Sequence, residues 1–198
     1  MNPLNSVRGA IITGIIVAAV ITVAIPQSAF NEMGLIRWLH ILSGVMWIGL
    51  LWYFNVVQVP ALGAAAADKG GPGGAGISKY IAPRALLWFR WAALATWLTG
   101  AAYLVRGANF VNAFTFGHFG EDIYGLVIGT GAWLGTIMLF NVWVLINPNQ
   151  MKVLGFTPAT DEEKVRARRV ALLASRTNFV LSIPMLMCMA GATHGLPY

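Results

Sequence analysis

Charged residues are scarce in this sequence, and acidic residues are the scarcest. Only 10% of the 198 residues are Asp, Glu, Lys or Arg, whereas roughly a quarter are charged in an average soluble domain. Seven residues are acidic, and none lies in the interior of a long apolar run. The paired carboxylates that many hydrolases use are therefore missing from the apolar part of the chain.

Cysteine is nearly absent as well. The single Cys188 excludes an intrachain disulfide and a Cys-x-x-Cys-His attachment for a c-type haem, and no zinc motif occurs. The sequence also has no glycine-rich phosphate loop at a strand-helix junction and no nucleophile elbow. Hydrolytic and phosphoryl-transfer chemistry therefore have no support.

Hydrophobic residues make up 58% of the chain. They come in blocks close to the roughly 20 residues that cross a bilayer as an α-helix, and Pro26, Pro60 and Asn147-Pro148-Asn149 follow three of them. Since proline and such polar turns end helices, these positions predict the ends of spans. We predict an all-α polytopic membrane protein, one membrane domain of residues 1–198, with five transmembrane helices at about 10–25, 35–57, 85–105, 122–146 and 170–190.

Three local patterns refine this bundle. Residues 61–83 are rich in alanine and glycine and predict a mobile loop. Thr160 followed by Glu163 is a capping-box pattern, so a helix should begin there outside the membrane and continue as the fifth span, with Glu162 and Arg166 paired on it. Two glycine pairs predict close helix contact: Gly125 with Gly129, and Gly131 with Gly135.

Basic residues are distributed unevenly between the two sides of the predicted bundle. Nine of them fall before span one or in the 61–84 and 147–169 loops, whereas only Arg37 and Arg106 fall on the other side. The positive-inside rule then predicts a multi-pass protein of the bacterial inner membrane with a cytoplasmic N-terminus and a periplasmic C-terminus. This placement explains the net charge of +6 better than nucleic-acid binding does.

Histidine offers the clearest candidate chemistry. His40 lies inside an apolar span, where a titratable group is costly and so indicates function. With the predicted topology, His194 and His118 lie on the same periplasmic side as His40. Imidazole is a common axial ligand of haem iron. We therefore predict a b-type haem held by His40 and His194.

Other residues at this level fit the same hypothesis. Arg37 and Arg106 could pair with haem propionates, and Trp47, with Trp38 and Trp97, could wall the ring. A copper site from His40, His118, His194 and a methionine such as Met185 or Met187 is an alternative, although no tight ligand spacing supports it. The competing interpretation is simple interfacial placement, because histidine and tryptophan both favour the membrane-water interface.

Two arginines lie inside predicted spans. Arg90 and Arg176 are about two turns from the cytoplasmic ends of spans three and five, and no acidic residue lies in the span interiors to pair with them. The simpler interpretation is that both side chains reach lipid phosphates. The alternative is an inner polar patch with Asn141, Asn147 and Asn178 that binds an anion or a partner subunit.

Four stretches, taken together and in order, resemble the membrane domain of the cytochrome-c-linked urate oxidases, also called urate hydroxylases. The first is Arg37 to His40 with Trp47-Ile48-Gly49, and it alone also resembles haem-b membrane families such as the copper-resistance D-type proteins and the membrane protoporphyrinogen oxidases. The others are Phe89-Arg90-Trp91 with Thr96 to Gly100, Phe140 to Trp143 with Pro148-Asn149-Gln150, and Ala174 to Asn178 with Leu181 to Met185 and His194.

The resemblance implies a fold and a redox context. Longer members of that family carry further spans and a C-terminal cytochrome c domain, so a chain ending at Tyr198 is expected to be a short form without that domain. We expect a redox subunit that passes electrons between a substrate site or quinone pool and cytochrome c. The alternative is a non-catalytic accessory subunit of a larger respiratory or photosynthetic membrane complex.

Overall fold

The structure is helical and contains no β-strand among the residues it describes. It is a computed structural model that describes residues 2–25 and 30–197. The predicted all-α fold is therefore confirmed. After a 3₁₀ turn at Pro3–Asn5, the α-helices are α1 (Val7–Ala24), α2 (Glu32–Trp52), α3 (Val59–Ala67), α4 (Ala82–Arg106), α5 (Phe110–Phe114), α6 (Phe116–Gly120), α7 (Ile123–Phe140), α8 (Asn147–Val153) and α9 (Asp161–His194).

The chain divides into two compact units, residues 1–32 and 33–198. The first unit contains α1, which begins after Ser6, whose Oγ accepts the N–H of Gly9 at 3.0 Å. None of the described residues of α1 is buried. Its 18 residues span about 27 Å, close to the thickness of a hydrocarbon core. Pro26, the expected end of this span, lies outside the described residues.

Three π-helical segments interrupt the helices of the second unit, at Tyr53–Gln58, Ile77–Ile81 and Asn141–Ile146. In each case a proline occupies the second position after the segment, and this proline is Pro60, Pro83 or Pro148. Proline lacks an N–H and its ring clashes with the preceding α-turn. The wider π-turn removes that conflict, because its hydrogen bonds reach back five residues.

The π-segments explain where the expected helix ends were wrong. The helical path through α2 continues past Pro60 to Ala67, and the path through α7 continues past Pro148 to Val153. The expected loop at 61–83 is helical at both ends, so only residues 68–74 lie outside a helix. In this chain proline therefore does not by itself end a helix, since π-turns precede Pro60 and Pro148, and Pro184 lies inside α9.

Four helical stretches of the described chain are long and apolar enough to cross a membrane. They are Val7–Ala24, Glu32–Ala67, Ile123–Val153 and Asp161–His194. The predicted third span corresponds to α4, which has 25 residues but is less apolar because it carries Arg84, Arg90 and several tryptophans and threonines. The described structure thus supports four membrane-capable helical stretches, and the five-span count is not confirmed.

The core of the second unit lies between α2, α4, α7 and α9. Phe54 packs edge-on against Phe89 with ring centroids 5.4 Å apart, which joins the π-segment after α2 to α4. The closest helix pair, α7 with α9, depends on glycine: a Cβ at Gly131 would lie 3.1 Å from the Cβ of Cys188. The largest fully buried side chains are Trp47, Phe89, Leu51, Met138, Val142, Asn178 and Ser182.

Helix α9 confirms the capping-box prediction. The N–H of Thr160 donates to Glu163 Oε2 at 2.8 Å, and the N–H of Glu163 donates to Thr160 Oγ1 at 3.2 Å. The helix then runs for 34 residues to His194 and includes Pro184. The predicted Glu162–Arg166 pair is present on its exposed side, at 3.0 Å.

Candidate functional site

The candidate site is defined by the contact between His40 and α4. Its Nδ1 lies 2.8 Å from the backbone carbonyl oxygen of Thr96. A carbonyl only accepts, so the Nδ1–H donates and the imidazole is in the Nδ1–H tautomer. Nε2 therefore carries the lone pair. A backbone carbonyl on the far nitrogen is a common way to fix a metal-binding histidine ring.

The space for the imidazole depends on Gly100. A Cβ at this position would lie 2.8 Å from His40 Cε1 and 3.0 Å from His40 Nδ1. The ring of His40 thus packs directly on the backbone of α4. Thr99 Oγ1 lies 3.5 Å from Nδ1 and donates to the carbonyl of Ala95 at 2.6 Å. The side chain of His40 is half-buried, so the ring is held on one side and accessible on another.

His118 lies in a different environment. It is exposed, and its Nδ1 is 3.1 Å from Oδ1 of Asn112. The backbone around it is left-handed, with φ values of 53° at Phe116, 50° at His118 and 65° at Phe119. This conformation is unfavourable for a non-glycine residue by roughly 1–2 kcal/mol. Contacts to α7 therefore have to hold the turn in place.

Asp122 and glycine provide those contacts. Asp122 caps α7 by accepting the N–H groups of Tyr124 and Gly125 at 3.1 and 2.9 Å, and it accepts Asn112 Nδ2 at 2.6 Å. Gly117 is buried, and a Cβ there would overlap the carbonyl oxygen of Asp122. His118 therefore forms part of a connected loop structure that is fixed to the first turn of α7.

The three histidines have separate sets of contacts. His40 packs on α4, His118 bonds to α5, and His194 is the exposed last residue of α9. The described residues contain no group of three His, Cys, Asp or Glu side chains placed to hold a metal ion. This finding gives no support to the three-histidine copper alternative. Ligation of haem by His40 and His194 stays a prediction.

The other predicted cofactor residues lie in contrasting places. Arg37 and Arg106 are both exposed. Trp47 is only 2% exposed and packs in the core with Leu51 and Phe54. It lies seven residues after His40, two turns further along α2, and its Nε1 has no hydrogen-bond partner within the described chain.

A second group of polar side chains lies where the π-segments after α2 and after α7 face α9. Asn55 Nδ2 donates to Ser175 Oγ at 3.0 Å, and Asn141 Nδ2 donates to Asn178 Oδ1 at 2.8 Å. Asn55 and Gln58 lie near the predicted end of span two, yet they are only 5% and 8% exposed. Both belong to the π-segment Tyr53–Gln58, and no residue pattern in the sequence predicted their burial.

The comparison with known families concerns the C-terminal part of the chain. Residues 111–198 match the family model described as urate oxidase N-terminal. The match covers less than half of the chain, and it supports a relation to urate oxidases over that part. No curated protein and no solved structure matches the chain.

The matched region divides the candidate residues. His118, Asn141, Asn178 and His194 lie within residues 111–198, whereas His40 and its partners Thr96 and Gly100 precede them. The two later stretches that carried the resemblance are therefore supported by the family match. The two earlier ones rest on the resemblance alone.

Proposed function

We propose that this chain is a membrane redox subunit that binds a b-type haem through Nε2 of His40. The observation that carries the proposal is the hydrogen bond from His40 Nδ1 to the Thr96 carbonyl. It fixes the tautomer that leaves Nε2 to coordinate iron.

The residues present fit such a group. Thr96 holds the imidazole in one orientation, and Gly100 gives it the space to lie against α4. His194 would supply the second ligand to the iron, and Arg37 and Arg106 would pair with the propionates. Haem b, when bound, supplies one-electron transfer, and the potential depends on its ligands and surroundings.

The proposal includes an electron partner and a location. Electrons would pass between a substrate site or the quinone pool and a periplasmic cytochrome c. Five spans, with α4 as the third and least apolar, would place the N-terminus in the bacterial cytoplasm and the C-terminus in the periplasm. The urate-oxidase match over residues 111–198 supports an oxidative context.

A visible absorption spectrum tests the proposal. The purified protein is expected to show a Soret band that His40→Ala abolishes, since iron loses the ligand that Thr96 orients. His194→Ala is expected to convert the haem to a high-spin form. His118→Ala is the matched control, because His118 is exposed and bonded to Asn112, so its spectrum should equal that of the unmodified protein. A folded, colourless preparation after haem supplementation would rule the proposal out.

The second candidate is a non-catalytic accessory subunit of a larger respiratory or photosynthetic membrane complex. The observation that favours it is α1, whose described residues are all outside any core although the helix is long and apolar. Such a helix suits contact with lipid or with other subunits. This function predicts stoichiometric co-purification with partner proteins in mild detergent, and recovery of only the free 21.3 kDa chain would contradict it.

A further inference from the structure

Two buried hydrogen-bond donors lie at the interface between α4 and the helical path of residues 141–153 that follows α7. Arg90 donates through NH1 to Oδ1 of Asn147 at 3.0 Å. The neighbouring Trp91 packs edge-on against Trp143, with ring centroids 5.5 Å apart. Trp143 and Asn147 are four residues apart on the helix that faces α4. Both contacts therefore belong to one interface.

Two donors of this interface find no acceptor within the described chain. The Nε of Arg90 and the Nε1 of Trp143 are both buried and have no partner there. The Arg90 guanidinium donates through NH1 to a neutral amide, and among the described residues no acidic side chain pairs with it. Leaving such donors unpaired costs roughly 1–3 kcal/mol each and more for charged groups.

Arg176 shows that simple reach toward lipid does not explain this arrangement. It lies about two turns inside the predicted fifth span, and in the structure it is an exposed residue of α9. Arg90 is instead half-buried with its Nε inside the protein. A guanidinium that only needed a lipid phosphate would extend outward in the same way as Arg176.

We propose that Arg90, Trp143 and Asn147 form a binding site for an oxyanion group, a phosphate or a carboxylate. The site presents donors and a positive charge, and an anionic group with several oxygens would satisfy the guanidinium and the indole together. A phospholipid headgroup and a soluble anion share this chemistry. The site is separate from His40 and does not depend on haem.

Binding to the purified full-length chain in detergent tests the proposal. One arm adds sodium phosphate and compares it with sodium chloride at equal ionic strength. The other adds phosphatidylglycerol to delipidated protein and compares it with phosphatidylcholine of the same acyl chains. Thermal unfolding followed by tryptophan fluorescence is the readout in both arms, and native mass spectrometry counts lipid adducts.

Four variants decide the result. Arg90→Gln is expected to weaken anion binding by about tenfold or more, since it removes a charge-assisted pair. Trp143→Phe should weaken it less, and Arg90→Lys should be intermediate because it keeps the charge but not the forked donors. Arg176→Gln is the matched control and should bind like the unmodified protein.

The two arms also identify the source of the anion. A shift with phosphate supports a soluble ligand, and a shift with phosphatidylglycerol alone supports a headgroup. The proposal is overturned if neither arm stabilises the unmodified protein. It is equally overturned if Arg176→Gln loses as much binding as Arg90→Gln, because both arginines would then act only through general surface charge.

Discussion

His40 and Gly100 share one small space between α2 and α4. The imidazole occupies the volume that any side chain at position 100 would need, with a Cβ there only 2.8 Å from Cε1. The hydrogen bond to Thr96 lies one helical turn away on the same face of α4. The orientation of the proposed ligand thus depends on the absence of a single methyl group.

Gly100→Ala is therefore expected to displace the ring of His40 and weaken its bond to Thr96. Overpacking of this kind costs about 1–3 kcal/mol, and the loss should appear as a lower Tm and, if haem is bound, as a shifted Soret band. Gly49→Ala in α2 is the control, since a Cβ there meets nothing within 4 Å. An alanine in a helix interior is favoured over glycine by about 0.5–1 kcal/mol, so the control should be neutral or stabilised.

An equal effect of both substitutions would mean that helix propensity, and not the packing of His40, sets the outcome. A normal Tm with an unchanged spectrum for Gly100→Ala would show that the ring has room to move. In that case the hydrogen bond to Thr96 would not be the feature that positions Nε2.

Which residue faces His40 could not have been read from the sequence. The polar titratable group in an apolar span identified His40 itself, but Thr96 is 56 positions away and contributes only its backbone carbonyl. Every residue has a backbone carbonyl, so the residue types do not indicate which carbonyl accepts the hydrogen bond. Gly100 lay in one of the stretches that carried the family resemblance, yet nothing in its spacing indicated a contact with α2.

At the level of elements, the glycines of α7 serve different neighbours. Gly125 faces Gly117 and Asn112, and Gly129 faces α5, where a Cβ would overlap the carbonyl oxygen of Ala113. Gly131 faces Cys188 and Met189 on α9, and Gly135 has nothing within 4 Å of the position a Cβ would take. The predicted close contacts thus hold for Gly125, Gly129 and Gly131, whereas Gly135 is not in one.

Gly129→Ala is expected to destabilise the protein, because the obstructing atom is backbone and cannot rotate away. The loss should be about 1–3 kcal/mol and should be measured as a fall in Tm in detergent. Gly135→Ala on the same helix is the matched control and should raise or preserve Tm. If Gly129→Ala is tolerated as well as Gly135→Ala, α5 does not pack on α7 as closely as the structure describes.

The π-segments mark the limit of sequence reasoning about elements. The apolar blocks predicted the helices, because a helix buried in lipid or in the core has to be long and hydrophobic. Thr160 and Glu163 predicted the start of α9, because a capping box depends only on neighbouring residues. Pro60 and Pro148 did not end their helices, since a π-turn before each one accommodates the ring. Asn55 and Asn141 in these segments bond to Ser175 and Asn178 on α9, and the sequence does not indicate which distant residues come into contact.

At the scale of the whole molecule, the number of membrane spans depends on α4. It carries both Thr96 and Gly100 of the His40 site and Arg90 of the proposed anion site, yet it is not among the four stretches apolar enough by composition. A helix with arginine and tryptophan can cross a membrane when its polar groups face neighbouring helices. The contacts of Arg90 and Trp97 with Asn147 and Thr136 are of that kind.

The crossing of α4 is open to a direct measurement. In a Cys188→Ala background, which removes the single native cysteine, Lys69→Cys reports on the segment before α4 and Asn109→Cys on the segment after it. If α4 crosses, a membrane-impermeant maleimide added to intact spheroplasts should label Asn109→Cys and not Lys69→Cys, since the basic loop is expected on the cytoplasmic side. Permeabilised cells, in which both positions should react, provide the control.

Labelling of both positions in intact spheroplasts, or of neither, would place the two ends of α4 on one side of the membrane. The predicted topology, with His40 on the periplasmic side and Arg90 nearer the cytoplasmic side, would then be wrong.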